Sequence, residues 1–311
     1  MVQREETGRV TEGTRWEHDG LGDIAVPADA LWGAQTQRAI TNFAVSGATT
    51  TSRPGLLVAL AEVKIAAAIT NGRFGVLSAH EVDLVVAAAG EVVAGRHHDA
   101  FPIDLVQGGG GTATNMNMNE VIANLANLAA GAPLGSGSPV HPNDHVNRSQ
   151  STNDAYPMAL QLAVFRAGRG AVTGIGRLAD SFRAAADRQG QLLRLGRTCL
   201  QDAVPLTVAA THGAHAHALD RVAGGLAGAL DEMLAVPLGA TAIGTGVGAP
   251  PGFAAAVVAE LARVTGLPLV PSADRFDALA NLDGHLGVAT AASRVALVMG
   301  KIAQDLRLWS S

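Results

Sequence analysis

The sequence predicts a mainly helical protein. Ala and Val dominate many of the apolar stretches and aromatic residues make up only 4% of the chain, a mix suited to helices packed closely against one another. Apolar residues recur at helical spacing over long stretches, and beyond Asp154 the breaks between them are short, which is the pattern of a helix bundle.

Residues 1 to about 50 read as irregular or extended, because Pro27 and several glycines interrupt any period, and residues 45–52 are small and polar enough for a loop. A first helix is predicted from Pro54, a residue type favoured at the first helical position, through Leu56, Leu60, Val63 and Ala67 to a stop at Asn71-Gly72. Ser78 with Glu81 three residues on matches a capping box, and Val82, Val85, Val86 and Val93 then form the stripe of a second helix that Gly95 ends. The four glycines 108–111 deliver the chain into a third, with Met116, Val121, Ile122, Leu125 and Leu128 at helical spacing up to Gly131. Residues 133–142, rich in Pro, Gly and Ser, are the clearest composition break and predict two domains, 1–140 and 141–311. The second domain reads as helices from about Asp154 to Gly190, from about Thr207 to Leu234, from Pro251, and from about Asp283 on. Gly168, Gly170, Gly174 and Gly176 fall inside the first of these; each either marks a tight contact or costs about 1 kcal/mol relative to Ala. The last pattern, Val288, Val295, Val298, Ile302 and Leu306, runs to Trp309 without cap or breaker and reads as cut off.

The formal charge is −5 and the 22 basic residues are scattered, so a polyanion finds no track and nucleic acid is not an expected partner. Met1-Val-Gln-Arg-Glu-Glu-Thr7 is not how a secretory signal begins, and no segment reads as the ~20 apolar residues of a bilayer span, so no membrane is expected and a soluble, cytoplasmic protein is. Cys199 is the only cysteine, which rules out an intrachain disulfide.

Two segments are more polar than their structural places require. Residues 107–117, QGGGGTATNMN, combine glycines that let backbone N–H groups approach a ligand with a helix N-terminus that favours an anion; Thr112, Thr114 and Asn115 would add side-chain donors. From the glycines alone, a turn with hydroxyl and amide caps is the favoured reading. Residues 141–154, HPNDHVNRSQSTND, have only Pro142 and Val146 as apolar members and lead into a long helix, where Ser151, Thr152 and Asn153 suit a carboxylate; a solvated loop capped by Asp154 or Thr152 is the alternative. A third segment, 196–203, reads on its own as a polar turn between two helices. His212 and His215 share a helix face without His217 and with no acidic or cysteine ligand beside them, so no metal site is expected.

In this order and spacing, residues 101–120 (FPIDLVQGGGGTATNMNMNE), 141–154, 196–205 (GRTCLQDAVP) and 238–246 (LGATAIGTG) resemble the fumarase/aspartase superfamily, from about Arg15 onward. Gln107-Gly-Gly, Ser151-Thr152 and Leu238-Gly-Ala-Thr-Ala-Ile243 are similar to aspartate ammonia-lyase, and Trp32-Gly-Ala-Gln-Thr-Gln-Arg38 to class II fumarate hydratase. The resemblance favours the former. It implies a mainly α fold, an N-terminal helical lyase domain followed by a long-helix bundle that assembles as a homotetramer. It implies that Thr112, Ser151, Thr152, Asn153 and Thr198 bind the carboxylates of aspartate, fumarate or malate, and that His141, Asn143 and Asp144 belong to a secondary dicarboxylate site. The implied reaction is proton abstraction next to a carboxylate, an aci-carboxylate carbanion, and loss of ammonia to give fumarate, with no organic cofactor and no metal.

The chain departs from the family pattern at Cys199, usually His or Gln, at Val208-Ala-Ala210, usually a Gly-Gln-Glu type run, and at Gly248, usually Asn. The family's Gly-Ser-Ser-x-Met-Pro-x-Lys-x-Asn-Pro loop, with its base serine, occurs nowhere; Lys64 and Lys301 are the only lysines and neither has that context. The resemblance therefore implies a C-terminally truncated lyase with an incomplete bundle, no C-terminal domain and no catalytic base of its own. The alternatives are a class II fumarate hydratase-like lyase, or a non-catalytic protein that binds dicarboxylates or associates with a complete paralogue.

Overall fold

The computed structural model describes residues 13–310; the N-terminal heptad read above lies outside the described residues. In chain order its elements are β1 (Thr14–Asp19), β2 (Gly22–Pro27), α1 (Ala34–Asn42), α2 (Pro54–Arg73), α3 (Ala79–Val93) and α4 (Thr112–Ala129). There follow α5 (Thr152–Gln189), β3 (Leu193–Thr198), β4 (Gln201–Thr207), α6 (Val208–Asp231), β5 (Ala235–Val236), α7 (Phe253–Thr265), β6 (Val270–Pro271), α8 (Arg275–Ala280) and α9 (Asp283–Trp309). The mainly helical reading holds, and each predicted helix is present.

The chain forms two compact units, one of the residues up to Ala163 with Ala235–Ala280, the other of Val164–Leu234 with the residues from Asn281 on. The break expected at residue 140 is a loop inside the first unit. The division falls instead within the continuous α5, because residues 141–163 are tied to the first unit, where the Asp154 carboxylate accepts hydrogen bonds from the Gly239 and Thr241 N–H groups.

In the first unit α2 is apolar on nearly every side and correspondingly enclosed: Leu57, Leu60, Val63, Ala66 and Ala67 are fully buried. It packs against α3 and α7. The capping box forms as predicted, Glu81 N–H donating to Ser78 Oγ and Ser78 N–H to the Glu81 carboxylate at 2.7 Å. The stretch read as irregular or extended contains the β1–β2 antiparallel hairpin, which is extended, and the helix α1, which that reading did not include. Neither carries a clear apolar period; the hairpin is held by Arg15, whose guanidinium donates to Glu17 and to the carbonyls of Pro27, Ala30 and Trp32.

In the second unit α6 packs against α9, with Leu219, Val222, Leu226 and Leu230 buried on one and Val288, Ala291, Val295 and Ile302 on the other. The segment read as a turn between helices is the β3–β4 hairpin. Its two-residue turn sets Cys199 and Leu200 at φ 50° and 61°, a conformation usually signalled by Asn-Gly. Contrary to the sequence reading, α2 and α9 are both long and apolar enough to cross a membrane by length and composition. In α2, 78% of that apolar window is buried in the fold, against 22% in α9.

The four glycines of α5 separate by their surroundings. A Cβ on Gly168 would lie 2.5 Å from the fully buried Leu230 side chain, whereas Gly170, Gly174 and Gly176 face open space. Alanine at each of those three positions should raise stability by about 0.5–1 kcal/mol, and Gly168→Ala should lower it. Urea denaturation of the single variants checks the sign at each position.

Candidate functional site

The glycine turn opens α4. Gly109, Gly110 and Gly111 have φ of 73°, 62° and 90°, a region closed to most side chains. A Cβ on Gly111 would lie 2.4 Å from the Tyr156 ring. Tyr156 sits in the first turns of α5, so the absent side chain lets the start of α4 lie against the start of α5. The cap of α4 comes from Gln107, whose Oε1 accepts from Thr114 N–H at 3.0 Å while its Nε2 donates to Thr114 Oγ1 at 2.7 Å. Thr114 and Asn115 are buried and bonded internally, not presented to a ligand. Thr112 is exposed, its hydroxyl donating to Gly109 O.

Beneath this junction lies Lys64, fully buried on α2. Its ammonium donates to Asn115 Oδ1 at 2.8 Å, Asn147 Oδ1 at 2.9 Å and Gln150 Oε1 at 3.0 Å. Three stretches distant in sequence thus meet on one cation: the middle of α2, the first turn of α4 and the loop before α5. Burial pushes the Lys64 pKa down to about 7, with the Asp154 charge pulling the other way. Asp154, fully buried, also accepts from Ser151 N–H at 2.9 Å, and so joins the start of α5 to the 238–246 segment. Burial raises its pKa to about 6 against these donors.

The structure brings Thr112, Ser151, Thr152 and Asn153 to this junction. Ser151 Oγ accepts from Asn153 N–H at 3.2 Å, and Thr152 Oγ1 accepts from Asn115 Nδ2 at 3.1 Å. Asn153 spends one N–H on Ala242 O at 2.7 Å. Two helix N-termini with hydroxyl and amide groups around them can seat an anion without a metal or a lysine at its surface. Thr198 stands in the second unit, exposed at the end of β3.

His141 and Asn143 line a cavity of about 340 Å³ in the first unit, with Glu17, Asp19, Gln35 and Glu120 on its walls. The His141 ring accepts from the N–H groups of Asn143 and Asp144 at 3.3 Å, and Asp144 is exposed beside it. Those carboxylates are occupied: Glu17 binds Arg15, Asp19 binds Arg38, and Glu120 accepts from α1. Sequence reasoning missed Lys64 and Gln107. The legible signal for Lys64 was a lone charge in the apolar run Val63-Lys64-Ile65-Ala66, since lysine is almost never fully buried unless paired.

Residues 22–311 match the lyase family. A class II fumarate hydratase from Prochlorococcus marinus (strain MIT 9313) is 44% identical over 295 residues, spanning 94% of this chain and 63% of that protein. The chain belongs to this lyase family. An aspartate ammonia-lyase from Pseudomonas canavaninivorans is 42% identical over 298 residues, again with 63% of that protein covered. Among solved structures, a fumarate lyase:delta crystallin from Brucella melitensis superimposes with a TM-score of 0.94 at 38% identity. A class II fumarase from Schistosoma mansoni gives 0.91 at 31%. Both cover 96% of this chain, and 65% and 66% of theirs. The chain therefore spans less than two thirds of the length of each of these four proteins. The relatives compared include several class II fumarate hydratases at 42–44% identity beside the ammonia-lyase, so they back the fumarate hydratase alternative better than the aspartase reading.

Asp154 and Lys64 each give this junction a pH signature. A carboxyl raised from 3.8 to about 6 by folding contributes stability that is present below pH 4 and lost as pH rises through 6. Relative to Asp154→Asn, the wild type should therefore lose stability between pH 4 and 6. A lysine lowered from 10.5 to about 7 acts in the opposite sense, its contribution present above pH 10.5 and lost as pH falls through 7. Chemical denaturation of both proteins across pH 4–8 checks the first window, and a flat difference contradicts it.

Proposed function

We propose that this chain carries the carboxylate-seating part of a class II fumarate hydratase-type site, for the reversible addition of water to fumarate to give malate. The observation that carries the reading is the junction of the α4 and α5 N-termini, where Thr112, Ser151, Thr152 and Asn153 gather over the buried Lys64. Such an arrangement favours a planar anion by partial charge and by donors, and the several fumarate hydratases among the relatives compared support the choice of substrate. His141, Asn143 and Asp144 are proposed as a weaker second dicarboxylate seat, since two of its backbone donors already serve the His141 ring.

The base-serine segment of the family pattern is not among these 311 residues. A positioned base contributes roughly 10² to 10⁴ in rate, so these residues alone bind without turning over. Copies of these 311 residues alone cannot supply that segment to one another. Association is nevertheless expected, because Leu286, Leu297, Leu306 and Leu308 leave apolar surface exposed on α9. We take a homo-oligomer or a base-bearing partner chain as its form.

Ligand-observed NMR on the 311-residue chain should show fumarate binding near millimolar, about −4 kcal/mol, weakened by Thr112→Ala and Asn153→Ala. The same preparation, from a host deleted for its own fumarases and aspartase, should form no fumarate from malate or aspartate by ultraviolet absorbance. Turnover that follows the purified chain and disappears in Thr112→Ala would mean that another residue serves as base. Preferential binding of aspartate would restore the ammonia-lyase reading. Sedimentation velocity should give species larger than a monomer at micromolar concentration, and a well-behaved monomer would contradict the association.

A further inference from the structure

When protonated, Lys64 has three protons and no lone pair, so every amide it touches must turn its oxygen inward. For Asn115 this decides the orientation of the side chain. Oδ1 accepts from Lys64 at 2.8 Å, and Nδ2 is left to donate outward, to Thr152 Oγ1 at 3.1 Å and Asn147 Oδ1 at 3.2 Å. A hydroxyl has two lone pairs and one proton. Thr152 has one lone pair engaged by Asn115, and its proton has no acceptor among the described residues. It is half-buried at the first residue of α5, where the helix terminus favours negative charge.

We propose that Lys64 is a positioning residue that, through Asn115, fixes the Thr152 hydroxyl as a proton donor toward a bound carboxylate. The proposal rests on the carboxylate-seating reading above and deepens it. Without the cation, Asn115 is free to turn over, accept the Thr152 proton, and leave lone pairs facing the anion. The cation thus acts at a distance by ordering donors and acceptors, without touching the ligand.

The discriminating variant is Asn115→Asp. It keeps the side-chain size and gives Lys64 a carboxylate partner, yet it offers Thr152 only acceptors, so the hydroxyl proton turns inward. Asn147→Asp is the control for charge: it places the same negative charge on the same ammonium while Asn115 keeps its orientation. Expected is a melting temperature for Asn115→Asp no lower than wild type, with an affinity for fumarate at least tenfold weaker than that of Asn147→Asp. Equal affinities of the two folded variants would overturn the proposal.

A ligand-free measurement separates this proposal from the reading it rests on. Denaturation of Lys64→Met, Thr152→Val and the double variant should be non-additive, and additivity overturns the relay. No hydrogen bond joins Lys64 to Thr152 while Asn115 bonds both, so coupling carried by Asn115 should vanish when the cycle is repeated in an Asn115→Ala background. Should Lys64→Met not fold, the two aspartate variants carry the decision. Coupling together with a wild type that binds no fumarate at tens of millimolar would support the ordered hydroxyl and refute the carboxylate-seating function.

Discussion

The first unit is organised around one buried charge. Removing an ammonium from water costs several kcal/mol, and no single segment of chain can satisfy three N–H donors pointing in different directions. Lys64 is therefore stable at the centre of α2 only when the first turn of α4 and the loop before α5 arrive together, bringing Asn115, Asn147 and Gln150. The Asp154 charge favours the ammonium, and its carboxylate recruits the 239–241 turn. The same condition that makes the lysine tolerable places two helix N-termini side by side.

α4 extends this logic along its length. Its buried face is largely polar, with Asn117, Asn119, Glu120, Asn124 and Asn127 all enclosed. Glu120 accepts from the N–H groups of Gly33, Gln35 and Thr36 and from the Thr36 hydroxyl, which anchors the start of α1. Asn124 donates to Leu31 O and accepts from Gly135 N–H, and Asn127 makes a paired contact with both backbone groups of Val140. Loops without apolar pattern are held in place by satisfying their backbone groups, which are costly to bury unpaired. A helix can serve this way because its side chains are displayed on a rigid rod at fixed intervals.

Local signals were legible where local chemistry sufficed. Pro54 at the head of α2, the Ser78 and Glu81 box, and the glycines before α4 each act within a turn or two of chain, and each produced the predicted boundary. The β3–β4 hairpin was not legible, because its turn uses Cys199 and Leu200 at positive φ where the usual signal is Asn or Gly. The domain break at residue 140 was misplaced for a related reason. A stretch rich in Pro, Gly and Ser marks a turn whether or not a unit ends there, and the Asn127 contact with Val140 spans this one.

What the sequence by itself determined is the mainly helical fold, the helix boundaries set by caps and breakers, and the family, which follows from four motifs in order. It also marked Thr112, Ser151, Thr152 and Asn153 as polar groups at helix starts. Only the tertiary structure decided that these starts face one another, that Thr114 and Asn115 turn inward, and that Lys64 lies beneath them. The reason is physical. Caps and periodicity act over a few residues, whereas the satisfaction of a buried charge depends on partners 51 to 86 positions away, whose approach no local pattern encodes.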